Sequence, residues 1–205
     1  MIVLVRHGET GPNRDRRLLG RDDPPLTDLG HRQCEALAAA LVSMRPDAVV
    51  TSPMSRTRAT AETVAGACGV PVEVDDRLVE IDYGTFDGTK LAELPPDVMR
   101  AMREDPDFAP PSGESMRTVM ERMASWCEEQ FAGDPERVVV AVTHVSPIKA
   151  AVSWALGAEP TLAWRMFVGL ASITRIGGTS GHPVLVSFNE QGHLGDGPGV
   201  GPAAR

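Results

Sequence analysis

The chain has 205 residues, 42% hydrophobic and 23% charged, a balance that suits one compact soluble domain with a substantial core. Its formal net charge of -8 argues against a general nucleic-acid or membrane-surface binder. No apolar run is long enough to span a bilayer. Met1 leads straight into an apolar run without a secretory pattern, and Cys34, Cys68 and Cys127 lack metal-ligand spacing. A cytoplasmic protein with buried, reduced thiols is expected.

Ile2 to Val5 is a short unbroken apolar run, the pattern of a strand buried on both faces. Gly11 to Pro25 is a polar loop rich in arginine and aspartate. A helix follows with Thr27 as its N-cap, carries Leu37, Leu41 and Met44 on its apolar stripe, and has ended by Pro46. Ala48 to Thr51 predicts a second buried strand, Ser52-Pro53 leads into a helix ending near Gly69, and Val72 to Val74 predicts a short strand. Gly84 to Gly113 holds Pro95, Pro96, Pro106, Pro110 and Pro111. It reads as an insertion covering one end of the sheet, with a short helix around Val98 to Arg103.

Met116, Val119, Met120, Met123 and Cys127 fall at helical spacing, a stripe best explained as core packing. Val138 to Thr143 is the most strand-like segment, and a helix from Ser146 to Leu156 is closed by Gly157. Leu170 to Ile176 and Pro183 to Phe188, separated by a glycine-rich turn, predict an antiparallel hairpin at a sheet edge. From Gly195 onward, glycine, proline and alanine dominate, and a disordered tail is expected. The succession predicts an α/β fold over residues 1–194: a three-layer α/β/α sandwich, its sheet mostly parallel with an antiparallel edge.

Four segments place chemistry near the ends of these strands, where open α/β sheets bind ligands. Arg6 and His7 follow the first strand: a planar fork for phosphate oxygens beside an imidazole able to attack phosphorus. Arg56 and Arg58 lie at the start of the second helix, two positions apart, so only one can face a given pocket. His144 ends the strongest strand, where a charged imidazole would donate to a phosphoryl oxygen. Glu80 and Asp82 compete for the role of an acid that protonates a departing alcohol.

In order and spacing these segments resemble the histidine phosphatase superfamily, in the branch that includes cofactor-dependent phosphoglycerate mutase. The resemblance runs through Arg6-His7-Gly8-Glu9-Thr10 to Asn13, then Pro25 to Gly30, Ser52-Pro53-Met54-Ser55-Arg56 and Leu78 to Gly84. It continues with Ser112 to Ser115, Val142-Thr143-His144 and Asn189 to Leu194. It implies that His7 is the nucleophile, that Arg6, Arg56 and His144 hold phosphoryl oxygens, and that Glu80 is the proton donor with Asp82 behind it. Asn13, Thr10, the backbone near Gly20 and the Val145 N–H would complete the phosphate pocket. No metal or cofactor is implied, because the fixed cations take the metal's place. An acid-side optimum is expected if His144 must be charged and His7 neutral.

The chain departs from the family pattern at Val145 to Lys149, where "GGxxR" is usual, at Leu19 and at Pro12. The acidic covering segment favours a phosphatase of a small phosphorylated metabolite, like α-ribazole phosphatases and some actinobacterial acid-phosphatase-like domains. A cofactor-dependent mutase and a catalytically silent phosphate-binding or interaction module are the alternatives. A metal held by His7 and His144 is disfavoured by the flanking arginines. A homodimer is left open.

Overall fold

The structure, a computed structural model, describes residues 1–179 and 181–195. Its strands are β1 (Ile2–Arg6), β2 (Ala48–Thr51), β3 (Val72–Val74), β4 (Val139–Thr143), β5 (Ile173–Thr179) and β6 (His182–Glu190). Its α-helices are α1 (Gly11–Arg14), α2 (Asp28–Leu41), α3 (Ser55–Cys68), α4 (Pro96–Glu104), α5 (Met116–Ala132) and α6 (Val145–Ala155). The sheet order is β3-β2-β4-β1-β5-β6. The first four of these are mutually parallel, while β5 and β6 run antiparallel. The expected three-layer architecture with an antiparallel edge is therefore present.

The continuous apolar runs of β1 and β4 follow from burial on both faces. Along β1, Ile2 and Leu4 pack with Trp126, Met123 and Ile148 of α5 and α6, whereas Val3 and Val5 pack with Leu37, Leu41 and Val64 of α2 and α3. The methionine stripe of α5 is core, with Met116 and Met123 buried. Thr27 caps α2 by accepting the Gly30 N–H at 3.1 Å, and Gly69 closes α3 in the left-handed region at φ 72°. Cys34 and Cys127 are buried free thiols, while Cys68 is only partly buried.

Several boundaries differ from expectation for physical reasons. Helix α4 begins at Pro96, since a first-turn proline loses no helical hydrogen bond. Helix α6 begins at Val145 with Pro147 inside its first turn, where the N–H has no intrahelical acceptor. Leu170 to Ser172 are not strand, and Ala171 sits at φ 51°. The hairpin runs through Gly177 and Gly178, and a Cβ on Gly178 would lie 2.3 Å from the His182 carbonyl oxygen. Gly177 and Gly178 permit close strand approach within the ladder, and of the expected turn glycines Gly181, at φ 81°, lies between the strands. Residues 196–205, where a disordered tail is expected, lie outside the described residues. Among the described residues no helix is long and apolar enough to cross a membrane.

The segment 84–113 contains short 3₁₀ turns at Gly84–Phe86 and Leu91–Glu93 before α4. Asp87 anchors it to the loop after α1 by accepting from the N–H groups of Gly20, Arg21 and Asp22 at 2.7–3.0 Å.

Candidate active site

Because β1, β4 and β2 are neighbours in register, the residues after their carboxyl ends meet. The His7 N–H donates to the Thr143 carbonyl at 3.1 Å and the Ser52 N–H to the Val142 carbonyl at 3.1 Å. The rings of His7 and His144 lie edge to face, 5.2 Å between centroids. Both histidines, Arg56 and Glu80 are buried.

The turn carrying His7 is held by close packing. A Cβ on Gly8 would stand 2.5 Å from the Gly30 carbonyl oxygen, and one on Gly30 would stand 2.3 Å from that of Glu9, so only glycines let α2 abut this turn. The Gly8 N–H donates to Thr60 Oγ1 on α3 at 3.3 Å, and the Gly8 carbonyl accepts from His7 Nδ1 at 2.7 Å. A carbonyl can only accept, so Nδ1 carries the proton and the Nε2 lone pair is free for attack. Burial first, then Arg56 and Arg6, hold His7 well below the usual histidine range, which keeps that lone pair available at neutral pH.

His144 is the N-cap of α6, and its Nε2 lies 2.8 Å from Ser52 Oγ. Burial, with Arg56 and His7 next, pushes its pKa well below the usual range as well. Burial therefore disfavours the charged His144 considered from the sequence. A neutral imidazole still donates, because Ser52 can give its hydroxyl proton to Nε2 while Nδ1 keeps the ring proton.

The two arginines are tied to the backbone. Arg56 donates to the carbonyls of Gly20 at 2.9 Å and Asp22 at 2.6 Å, and Arg6 donates to the Val168 carbonyl at 2.8 Å. Desolvation lowers the Arg6 pKa to about 10, so the guanidinium remains charged at neutral pH. Arg6 Nε, Arg56 Nε and His144 Nδ1 are buried without a hydrogen-bond partner among the described residues. Unpaired buried donors are costly, and an oxyanion is the group that satisfies several at once.

Glu80 sits at the amino terminus of α6. Its Oε2 accepts from the Val145 N–H at 3.0 Å, and its Oε1 accepts from Ser146 at 3.1 Å and Ile81 at 2.8 Å. A carboxylate at a helix N-terminus gains from both the free N–H groups and the dipole. The Val145 N–H expected to face phosphate therefore donates to Glu80. Likewise the Gly20 N–H is taken by Asp87, while the Gly20 carbonyl receives Arg56.

Asp82 is engaged elsewhere than on Glu80. Its Oδ1 accepts from the Gly84 N–H at 2.7 Å and its Oδ2 lies 3.9 Å from Arg21, so it shapes the covering segment. Asn13 and Thr10 engage each other, with Asn13 Oδ1 accepting from the Thr10 N–H and hydroxyl at 3.1 and 2.8 Å. Three participants escape the sequence reading: Ser52 as partner of His144, Thr60 beneath Gly8, and Tyr83. The sole tyrosine, Tyr83, bonds the Ser146 side chain, and burial raises its pKa. Ser52 alone left a signal, being the residue that follows β2 as His144 follows β4. Among the described residues no cluster of three or more His, Cys, Asp or Glu is placed to hold a metal.

The buried histidines also set a stability dependence on pH. Both have folded pKa values well below 6.5, so from about pH 6.5 downward the unfolded chain binds protons that the folded chain refuses. Stability is then full above pH 6.5 and falls as the pH is lowered, by up to about 1.4 kcal/mol per pH unit for each histidine. Urea midpoints between pH 7.5 and 5.5 should decline, and His144→Gln should flatten the slope. A slope unaltered by that substitution would contradict the burial of a neutral ring.

The family profile of the histidine phosphatase superfamily (branch 1) matches residues 2–191. The bifunctional protein Rv2228c of Mycobacterium tuberculosis is 37% identical over 84% of this chain, which spans about half (49%) of that relative's length. Phosphoserine phosphatase 1 of Hydrogenobacter thermophilus is 31% identical, covering 95% of this chain and 94% of its own. A probable phosphoglycerate mutase, GpmB of Cronobacter sakazakii, is 34% identical over 85% of this chain and 83% of its own. The crystal structure of an Entamoeba histolytica phosphoserine phosphatase with 3-phosphoglyceric acid superposes with a TM-score of 0.87 at 29% identity, over 94% of this chain and 98% of that one. The match over nearly the whole chain and the shared fold make this protein a member of the histidine phosphatase superfamily.

Proposed function

We propose that the protein is a phosphomonoesterase that hydrolyses a small phosphorylated metabolite through a phosphohistidine on His7. The observation that carries this reading is the free Nε2 of His7 beside three unpaired buried donors, Arg6 Nε, Arg56 Nε and His144 Nδ1. In the first step Nε2 attacks phosphorus in line, the P–O bond to the alcohol breaks, and Glu80 supplies the proton that the departing oxygen takes up. In the second step water attacks the phosphohistidine, Glu80 accepts the water's proton, and phosphate leaves with His7 restored. The fixed cations stabilise the transferring group in both steps, the work a metal does elsewhere. Phosphate-monoester hydrolysis needs such help, with enzymatic accelerations reaching roughly 10²¹-fold.

Hydrolysis is favoured over a mutase cycle by the covering segment. A mutase must keep a bisphosphorylated species and shield it from water. Three cations in and around that segment already face carboxylates and are poorly placed to hold a further phosphate: Lys90 faces Glu93 at 3.7 Å, Arg117 pairs with Asp107, and Arg21 faces Asp82 and Glu114 at 3.9 and 3.5 Å. The phosphoserine phosphatases among the similar proteins support the same choice. Incubation with 3-phosphoglycerate, with and without its 2,3-bisphosphate, should release inorganic phosphate in both cases. Isomerisation without phosphate release, dependent on the bisphosphate, would instead establish a mutase.

A further inference from the structure

We propose that Lys149 is a specificity-determining residue that binds a carboxylate on the substrate, at the far end from the phosphoryl group. This deepens the phosphatase reading and rests on it. Lys149 lies one turn after Val145 on α6, so both share one face of the helix. Glu80, held by the Val145 N–H, and Arg6 both act on the Lys149 ammonium, which puts the lysine near the reaction centre. Its ammonium stands 5.7 Å from the centre of the Trp164 ring, in the 3₁₀ turn Pro160–Arg165. The same connection supplies the Val168 carbonyl that anchors Arg6, so one stretch of chain positions both cations.

Among the described residues no carboxylate lies within ion-pair distance of the Lys149 ammonium. Glu80 and Arg6 are the charges it feels, the first stabilising the ammonium and the second opposing it. Glu80 already spends both oxygens on backbone donors. The aromatic face of Trp164 compensates only part of the desolvation of a half-buried ammonium. Holding an underpaired cation beside the site is costly unless an anion arrives with the substrate.

Two features select a carboxylate as that anion. A single ammonium is a point charge with three donors, enough for one carboxylate but weak for a second phosphate dianion. Arg21 is already faced by Asp82 and Glu114, so it adds little. Desolvation lowers the Lys149 pKa to about 8, and the carboxylate contact should accordingly weaken as the pH rises through that value.

The test compares two substrates that differ only at this end, 3-phosphoglycerate with a carboxylate and glycerol 3-phosphate with a hydroxymethyl group. Wild type should favour 3-phosphoglycerate. Lys149→Met should lower kcat/KM for it by roughly tenfold to a hundredfold, chiefly through KM, with a far smaller loss for glycerol 3-phosphate. Lys149→Arg should restore part of the preference, and the wild-type KM for 3-phosphoglycerate alone should climb above pH 8. Equal losses on both substrates, or a wild type without preference, would overturn the assignment while leaving the phosphatase reading intact. Failure of wild type to release phosphate from either substrate or from p-nitrophenyl phosphate would overturn both.

Discussion

Replacing His7 by alanine abolishes turnover while leaving the fold in place. The expected loss in kcat is on the order of 10⁶-fold, the scale seen when a nucleophile working as part of a unit is removed. The residual ring of Arg6, Arg56 and His144 can still hold a phosphate ester, so KM or an inhibition constant should change far less than kcat. The phosphoenzyme gives a second readout. Wild type mixed with substrate and quenched rapidly should carry an acid-labile, alkali-stable phosphoryl group that is missing from His7→Ala. Appreciable turnover in the variant, or a phosphoryl group retained on it, would move the nucleophile elsewhere.

Glu80→Gln is expected to slow hydrolysis of esters with alkyl leaving groups by roughly 10²- to 10⁴-fold, the contribution of a positioned general acid. The effect on p-nitrophenyl phosphate should be much smaller, because nitrophenolate departs without a proton. The substitution has a structural cost too. Glutamine keeps one acceptor oxygen but turns an NH₂ toward either the Val145 or the Ser146 N–H, which Glu80 now satisfies. A thermal melt on the same preparation separates that loss from the chemical one, since a destabilised α6 would slow both substrates alike. Equal slowing with an unchanged melting temperature would remove Glu80 from the acid role. Asp82 would then be the next carboxylate to test, although it is bound to the Gly84 N–H in this structure.

Much of the architecture was legible because burial on both faces writes itself into β1 and β4 as unbroken apolar runs, and because Thr27 and Gly69 punctuate helices by local chemistry. The edge hairpin was harder. Gly177 and Gly178 look like a turn in isolation, and only the partner strand shows that they serve close approach instead. Arg6, His7, Arg56 and His144 could be named because strand ends and helix starts are where such groups gather. The engagement of Val145 and Gly20 could not be foreseen. Each depends on a carboxylate more than sixty positions away, Glu80 and Asp87 respectively, and neither pairing leaves a periodic trace. The lowered pKa of His144 was not legible for a related cause: exclusion of water is a property of the assembled interior, and residue order alone does not report it.

The way Arg6 and Arg56 are fastened has a consequence for how the pocket behaves. Their short contacts run to carbonyl oxygens, which orient a guanidinium without cancelling its charge. The nearest carboxylate to Arg56, Asp23, stands off at 3.5 Å and is itself occupied by the N–H and hydroxyl of Ser55. Neutral scaffolding of this kind leaves more of the positive potential for an incoming anion than close ion pairs would. Acidification reaches these struts only indirectly, through Asp87, whose carboxylate holds the loop that presents the Gly20 and Asp22 carbonyls to Arg56.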